Sequence, residues 1–288
     1  MYDTNDFLLE RRLQNEAPDL NLRVKNCVYF TKDILDTFIG WFPNFTDHSL
    51  LHSLDVLYFS NCLLGEKAYA LSIPECYCLV MSCYLHDIGM CVNRTGFEKF
   101  TAQIRFEDYH KNHPDASEAR IIRDFHHEYS ALFIREYAVF FEIPSEELLF
   151  SIIQVSRGHR KTDLYDETEY PDIKTEDGII RTAFLSAILR LADEIDVAAD
   201  RNPEILFDTS TLTEQIDIDM FGIHDSILAV DVLPEKIVLK VKPKEPRFAP
   251  LVEDLAVKIQ KTLDYCRNVA QKRSDLPITQ EKAVIEWL

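Results

Sequence analysis

The chain has 288 residues, 47% of them hydrophobic and 28% charged, and its formal net charge at pH 7 is −18. This length and balance are typical of one large globular domain or a domain with a small appendage, and only 7 glycines favour a mainly helical chain. The acidic balance argues against a broad nucleic-acid surface, which needs a basic stripe. It does not exclude a small anionic substrate, because a bound divalent cation would change the local field.

The first residues, MYDTNDFLLERRLQNEAPDL, are polar and acidic, unlike a signal or transit peptide. No apolar run reaches the roughly 18 residues that a membrane span needs. We therefore expect a cytoplasmic protein with no membrane partner. Cys76, Cys78, Cys83 and Cys91 cluster, but their C-x-C-x4-C-x7-C spacing matches none of the usual zinc knuckles, so a buried helix in a reducing compartment is expected instead.

Hydrophobic periodicity predicts a polar N-terminal lead-in over residues 1–25 that ends in a helix or cap, followed by a series of helices. Their predicted ranges are 26–42, 45–64, 72–91, 121–141, 145–159, 177–200 and 251–273. Pro43 is expected to end the first helix, and Thr46 or Asp47 to cap the second. Residues 92–117 show no clear period and predict a long loop, which is a candidate substrate lid.

The pattern changes near residue 205, where EQIDIDMF, SILAVDV and KIVLKVK alternate apolar and polar residues with the period of a strand. LPEK, between the last two, is a plausible hairpin loop. We therefore predict a mainly α fold, with a helical bundle over residues 26–205. Residues 206–288 would add a small β-hairpin and a C-terminal helix packed on the same domain.

Six histidines lie in or beside the helical patterns. They are His48, His52, His86, His126, His127 and His159. In YLHDIGM, His86 and Asp87 interrupt an apolar run, and Asp193 interrupts another, in LRLADEID, where Asp196 is an alternative. Burying a carboxylate is costly unless it is paired or holds a metal.

Helices that each offer an imidazole or a carboxylate from an apolar face suit a metal site in a bundle core. A bridging carboxylate such as Asp87 would hold two ions about 3.5–4 Å apart, which activate a water and clamp phosphate oxygens. The ligand types favour iron, manganese, zinc or cobalt over calcium. One or two divalent ions are expected, and nickel and magnesium stay open as well.

The ordered set His52, His86-Asp87 and Asp193 resembles the H…HD…D signature of the HD superfamily of metal-dependent phosphohydrolases. The segments HSLDV, LHDIGM and LRLADEIDVAADR are similar to the motif windows of that superfamily. The resemblance covers residues 40 to 205 and implies an HD-type bundle with these four residues as metal ligands. It also implies that Asp87 bridges the metals and that Asp87 and His86 are catalytic.

His126 and His159 resemble the two extra histidines of two-metal HD proteins and imply a second metal. The HHE sequence leaves His127 as a competitor for His126, which we favour because Ser130 then lies one turn further along the same face. No GYP triplet follows His159, where the chain reads GHRKTDLYD. This departure argues against an HD-GYP phosphodiesterase.

Several further side chains are candidates for contact with a substrate phosphate, since guanidinium matches phosphate geometry. They are His48, His127, Arg123, Arg160, Lys161, Arg190 and Arg201. The remaining histidines, His110, His113 and His224, lie outside the motifs, and we expect core or surface roles for them.

The predicted function is hydrolysis of a phosphoester or phosphoanhydride in a nucleotide-like substrate. Two alternatives are a non-catalytic HD module that senses a nucleotide or binds a protein partner, and a metal nuclease acting on single strands. The substrate, the metal and the oligomeric state, including a homo-oligomer, stay open.

Overall fold

A computed structural model describes residues 7–42, 48–106, 109–199 and 215–288. The described ranges contain eleven α-helices and five short strands, which confirms the prediction of a mainly α fold. The helices are α1 (Leu8–Glu16), α2 (Pro18–Leu35), α3 (Leu50–Leu64), α4 (Ile73–Leu85), α5 (Arg94–Thr101), α6 (Tyr109–Asn112), α7 (Glu118–Glu136), α8 (Glu146–Arg157), α9 (Thr182–Ile195), α10 (Gln215–Ser226) and α11 (Phe248–Arg273). The strands are β1 (Asp172–Thr175), β2 (Gly178–Arg181), β3 (Ile227–Val232), β4 (Lys236–Val241) and β5 (Lys282–Trp287).

Five helices begin at a side chain that accepts a hydrogen bond from a backbone N–H of the first turn. These N-caps are Ser49 of α3, Ser72 of α4, Asn93 of α5, Ser117 of α7 and Ser145 of α8. At α4 the cap is reciprocal, because Glu75 also accepts from the backbone N–H of Ser72. The cap of α3 is thus Ser49, while the predicted signals Pro43, Thr46 and Asp47 lie outside the described residues.

Helices α9 and α4 form the centre of the bundle. In α9, 11 of the 14 residues are buried, and the helix packs against α3, α8 and α11. Helix α4 packs against α1, α2, α3 and α8, and nearly all of its residues are buried. A helix that is apolar on all sides belongs in a core. Polar residues at the ends of these two helices therefore lie deep in the protein. In the described ranges, no helix is long and apolar enough to cross a bilayer.

The N-terminal segment packs on the bundle through α1. Leu9 and Leu13, four residues apart, are fully buried, and α1 contacts α4. The buried Arg12 donates hydrogen bonds to the carbonyl oxygens of Ala68 and Leu71, at 2.6 and 2.8 Å. Helices α1 and α2 thus begin inside the range expected to be a lead-in.

The prediction of a long loop over residues 92–117 is wrong where α5 and α6 form. Asn93 caps α5, and Phe97 and Phe100 of that helix are buried in a second apolar cluster with Phe38 and Tyr129. The two aromatic rings, three residues apart, lie on one helix face. The polar residues around them hid this spacing.

The segment EQIDIDMF, predicted as a strand, lies mainly in helix α10, so this prediction is wrong. Phe221, Ile223 and His224 are buried at helical spacing, and α10 packs against α11. The alternation before Phe221 imitates a strand, but the burial of residues 221, 223 and 224 follows the period of a helix.

The predicted hairpin is confirmed. Strands β3 and β4 are antiparallel, with Val230 opposite Leu239. Strand β5, which the sequence did not predict, returns after α11 to pair in parallel with β4, so that Val238 lies opposite Val284. A second small hairpin, β1–β2, precedes α9. The region after residue 215 is therefore a helix, a three-stranded sheet and a long crossover helix.

Candidate metal centre

The HD pair lies where α4 ends. The His86 backbone N–H still donates to the Ser82 carbonyl oxygen, at 2.9 Å, and Asp87 begins the 3₁₀ turn Ile88–Cys91. Both side chains are buried, with exposed fractions of 0% for His86 and 4% for Asp87. The interruption of the apolar run is thus a helix end that directs two polar side chains into the core.

Helix α7 packs directly onto the turn after Asp87. A Cβ atom on Gly89 would lie 2.4 Å from the His126 carbonyl oxygen and 2.4 Å from the Ser130 nitrogen, so this approach requires glycine. The Ser130 hydroxyl donates to the His86 carbonyl oxygen, at 2.5 Å, and accepts from the Gly89 N–H, at 2.9 Å. Gly89 and Ser130 therefore hold the HD turn against the helix that carries His126.

Four buried histidines share one arrangement, in which Nδ1 faces a hydrogen-bond acceptor and Nε2 faces the centre. The Nδ1 distances are 2.6 Å from His52 to Asp196 Oδ2, 2.9 Å from His86 to the Cys83 oxygen, 2.7 Å from His126 to the Arg123 oxygen and 2.5 Å from His159 to the Ser156 oxygen. Carbonyl and carboxylate oxygens only accept, so each Nδ1 carries the proton. Each Nε2 then presents its lone pair to the centre.

These lone pairs meet in two couples. The Nε2 atoms of His52 and His86 are 3.1 Å apart, and those of His126 and His159 are 2.8 Å apart. Two lone pairs at such distances repel each other unless a proton or a cation lies between them. Burial lowers the pKa of His126 and of His159 to about 3, which disfavours a proton there at neutral pH.

Asp87 lies between the two couples and turns one oxygen to each. Its Oδ2 is 3.4 Å from His52 Nε2 and 3.5 Å from His86 Nε2. Its Oδ1 is 3.3 Å from His126 Nε2 and 3.5 Å from His159 Nε2. Burial raises the pKa of Asp87, but the adjacent histidines, His86 first, outweigh this effect and hold the pKa well below its usual range. The centre thus contains an ionised carboxylate shared by both couples.

Two groups of three ligand atoms could each hold a metal ion. They are His52, His86 and Asp87, and Asp87, His126 and His159, with the ligand atoms of each group within 4.8 Å of one another. Imidazole nitrogen with carboxylate oxygen suits divalent transition metals. The residues present therefore fit one or two such ions, without indicating which metal.

The two candidate aspartates of α9 lie on opposite sides of His52. Asp193 Oδ1 is 3.3 Å from His52 Nε2 and 3.8 Å from His86 Nε2, so it faces the centre. Asp196 Oδ2 lies behind the ring, 2.6 Å from Nδ1. A carboxylate in that position fixes the tautomer of a ligating histidine and raises its basicity. The geometry therefore places the Asp193 carboxylate at the centre and the Asp196 carboxylate behind the His52 ring.

His126 and His127 are neighbours in helix α7, but their side chains lie at different cavities. The backbone of α7 departs from helical geometry at Phe125, with φ −120° and ψ 15°, immediately before the pair. The two imidazole planes are 85° apart. His126 enters the centre, whereas His127 lines a different cavity.

A cavity of about 290 Å³, called here the metal cavity, opens beside the centre. Of the predicted substrate contacts, His48, Arg123 and Arg160 line it. His48 Nε2 is 3.8 Å from Asp87 Oδ2. Lys161 is exposed and is not part of the lining, and Arg201 lies outside the described residues.

Sequence reasoning missed three polar residues of this lining, Glu194, His224 and Lys258. The Lys258 ammonium pairs with the Glu194 carboxylate at 2.7 Å. His224, expected to have only a core or surface role, is buried at the cavity wall. Because His224 and Lys258 come from α10 and α11, far along the chain from the motifs, no local signal marked them.

Arg190, considered as a phosphate contact, has its guanidinium turned to the backbone instead. It donates to the carbonyl oxygens of Gly158, Arg160 and Thr162, at 2.8, 2.5 and 2.9 Å. A Cβ on Gly158 would lie 2.4 Å from the Ser186 hydroxyl, so the end of α8 also approaches α9 closely. Arg190 and Gly158 together fix the segment that carries His159 and Arg160.

The segment expected to act as a lid contributes none of its described residues to the metal cavity. The cysteine cluster also lies apart from the centre. Cys76, Cys78, Cys83 and Cys91 are buried free thiols, and the metal-type groups among the described residues include no cysteine.

The helical bundle and its histidine–aspartate centre define an HD-type domain with the potential to bind metal. The HD-CE family model matches residues 42–276, and the chain belongs to this family. The match spans every candidate ligand from His52 to Asp193 and confirms the HD resemblance. No curated protein and no solved structure matches the chain significantly.

Proposed function

We propose that the protein is a metal-dependent phosphohydrolase that cleaves a phosphoester or phosphoanhydride bond in a small nucleotide-like substrate. The observation that carries the proposal is Asp87, an ionised carboxylate between two couples of imidazole lone pairs. This arrangement concentrates a negative charge and several lone pairs in the buried centre. Divalent cations would balance that charge. Membership of an HD-type family supports the same chemistry.

His52, His86, Asp87 and Asp193 would hold one ion, and Asp87, His126 and His159 the other. Divalent cations held there would lower the pKa of a water and stabilise negative charge on phosphate oxygens. Asp87 and His86, named as catalytic residues from the sequence, act in this proposal by holding the ions. The Nδ1 partners keep each imidazole neutral and correctly turned, so little reorganisation is needed when a cation enters.

The walls of the metal cavity suit a small anionic substrate. Arg123 and Arg160 place guanidinium groups beside the centre, where they would bind and orient phosphate oxygens. Met90, Val197 and Leu255 add apolar surface for the rest of the molecule. The cavity volume of about 290 Å³ lies near the lower limit of about 300–1,000 Å³ for small-molecule sites, which favours a nucleotide-sized substrate over a polymer.

The first test is metal stoichiometry by plasma mass spectrometry, on protein purified without chelator or histidine tag. We expect two transition-metal ions per chain and product release from at least one member of a nucleotide panel. Bound metal with tight nucleotide binding and no product, across manganese, magnesium, cobalt and iron, would replace the hydrolase with a nucleotide-sensing module. Cleavage of labelled single-stranded oligonucleotides in preference to nucleotides would favour the nuclease.

Arg160 and Lys161 form a matched pair for testing the phosphate contact, since only Arg160 lines the metal cavity. Arg160→Gln should lower kcat/KM by about 10- to 100-fold, the range expected when a hydrogen bond to a charged group is lost. Lys161→Gln should change kcat/KM less than about twofold, as expected at a solvated position. Metal content should be unchanged in both. Equal losses in the two variants would show that net charge, not position, matters.

A further inference from the structure

A second cavity, of about 620 Å³, lies beside His127, and we call it the His127 cavity. It shares no lining residue with the metal cavity. Arg105, Arg135, Arg157 and Gln154 contribute to its wall. The function proposed above uses none of these residues, and it leaves the second histidine of the HHE motif without a role.

The charges of this wall leave two guanidinium groups uncompensated. Arg157 is paired with Glu128 at 2.7 Å and with Glu169 at 3.1 Å, and these are the two acids of the lining. Arg105 and Arg135 are exposed and form no ion pair with any described residue. On a chain of net charge −18, a cavity that carries two unpaired guanidinium groups is a local attraction for anions.

His127 adds a buried polar group to the same wall. Its exposed fraction is 6%, and its Nδ1 has no hydrogen-bond partner among the described residues. Its Nε2 is 3.7 Å from Glu128 Oε1, beyond hydrogen-bond distance. A buried polar atom without a partner destabilises a fold, so a bound molecule that completes it would be favoured.

We propose that the His127 cavity is a second binding site, for a small phosphate-bearing anion. Arg105 and Arg135 bind the phosphate oxygens, and His127 completes its hydrogen bonding with the ligand. Guanidinium groups match the geometry of phosphate oxygens better than that of a monoatomic anion. The ligand is either free phosphate or the phosphate group of a nucleotide. The site is separate from the metal centre and does not depend on the proposed hydrolysis.

The test is calorimetric titration of the full-length protein with inorganic phosphate and, separately, with adenosine monophosphate. Four proteins are compared: wild type, R105Q/R135Q, the control R11Q/K25Q and R160Q. The control also removes two positive charges, but from exposed positions on α1 and α2. We expect R105Q/R135Q to weaken one class of phosphate sites by at least about tenfold, the loss expected for charge-assisted hydrogen bonds. In the control and in R160Q, the phosphate affinity of that class of sites should stay within twofold of wild type.

An R105Q/R135Q isotherm that matches wild type would overturn the proposal. So would a control that weakens binding as much as R105Q/R135Q, because the effect would then be one of net charge. Tighter binding of adenosine monophosphate at this class would identify a nucleotide as the ligand, and equal binding would identify free phosphate. Because Arg160 lines the metal cavity and not the His127 cavity, failure of this proposal and failure of the hydrolase proposal are distinguishable.

His127 is tested by two substitutions of contrasting chemistry. In His127→Asn the side-chain amide lies close to the position of Nδ1, and phosphate affinity should stay within a fewfold of wild type. In His127→Leu no polar group is left, and affinity should fall about tenfold, as when a hydrogen bond to a charged partner is removed. Thermal melting checks that both variants fold. Wild-type phosphate affinity in a folded His127→Leu variant would show that the imidazole does not contribute to the site.

Discussion

The two halves of the candidate metal centre are built differently. The first half, with His52, His86 and Asp193, is supplied by α3, the end of α4 and α9, and it has Asp196 behind His52. The second half, with His126 and His159, is supplied by α7 and the segment after α8. Its Nδ1 partners are backbone carbonyl oxygens only. Asp87 belongs to both halves.

This difference predicts unequal affinity of the two proposed metal sites for cations. The first half has a carboxylate of its own and a charged hydrogen-bond partner, and both increase the negative charge near a bound ion. The second half has two neutral imidazoles and depends on Asp87 for negative charge. We therefore expect the first half to fill before the second, and the variants below are chosen to break or sharpen that order.

Asp87→Ala should have the largest effect, because it removes the carboxylate that both halves share. We expect loss of both ions and a fall in activity of at least about 10²–10³-fold, the size seen when one preorganised electrostatic group is removed. Metal analysis and hydrolysis assays measure these effects, and circular dichroism checks the helices. Asp87→Asn keeps the shape and should behave similarly. A fully active, metal-free Asp87→Ala protein would refute the mechanism.

His86→Gln and His159→Gln compare the two halves directly. His159→Gln should reduce the metal content from two ions to one, because the first half keeps His52, His86 and Asp193 together with the shared Asp87. His86→Gln should reduce it below one, since the second half alone holds an ion weakly. Plasma mass spectrometry at matched free metal concentration gives the counts. If His159→Gln empties both halves, the centre loads as a single unit and the unequal description is wrong.

Asp196→Asn should have a smaller effect, confined to the first half. Loss of a carboxylate behind a ligating histidine typically weakens metal binding by about 10- to 100-fold. Competition with a chromophoric chelator would measure the affinity of each ion. The affinity for the tightly bound ion should fall toward that for the weakly bound ion. The affinity for the second ion should change little. Unchanged tight binding would mean that Asp196 has only a structural role.

The last expected effect concerns the stability of the metal-free protein, which should depend on pH. Burial lowers the pKa of His126 and His159 to about 3, so the unfolded chain binds more protons than the folded one between about pH 6.5 and pH 3. The free energy of unfolding should therefore fall as the pH is lowered through that window. Denaturant titrations would measure it, and His159→Gln should show a shallower dependence. A flat profile in the metal-free wild type would contradict the burial of neutral imidazoles.

The motifs along the chain were sufficient to identify the helices that carry the candidate ligands. His86 and Asp87 interrupt an apolar run, and Asp193 interrupts another, and local sequence shows both interruptions because burial of polar groups is costly. The helices α7, α8 and α11 were also predicted, within a few residues at their ends. Helix α9 was predicted over 177–200, but residues 178–181 of that range form strand β2 instead. The segments that misled prediction, α5 and α10, have short apolar patterns that more than one secondary structure can explain.

The amino-acid sequence by itself determined that this chain is mainly helical, which helices carry imidazoles and carboxylates, and which family motifs they resemble. Those properties depend on residue type and on spacing within one element, and both can be read locally. Only the tertiary structure shows that Asp193 and His126 face the centre while Asp196 and His127 do not, and which basic side chains line the metal cavity. Those placements depend on which faces of distant helices meet. Packing of the whole core sets those contacts, and no short stretch of sequence contains them.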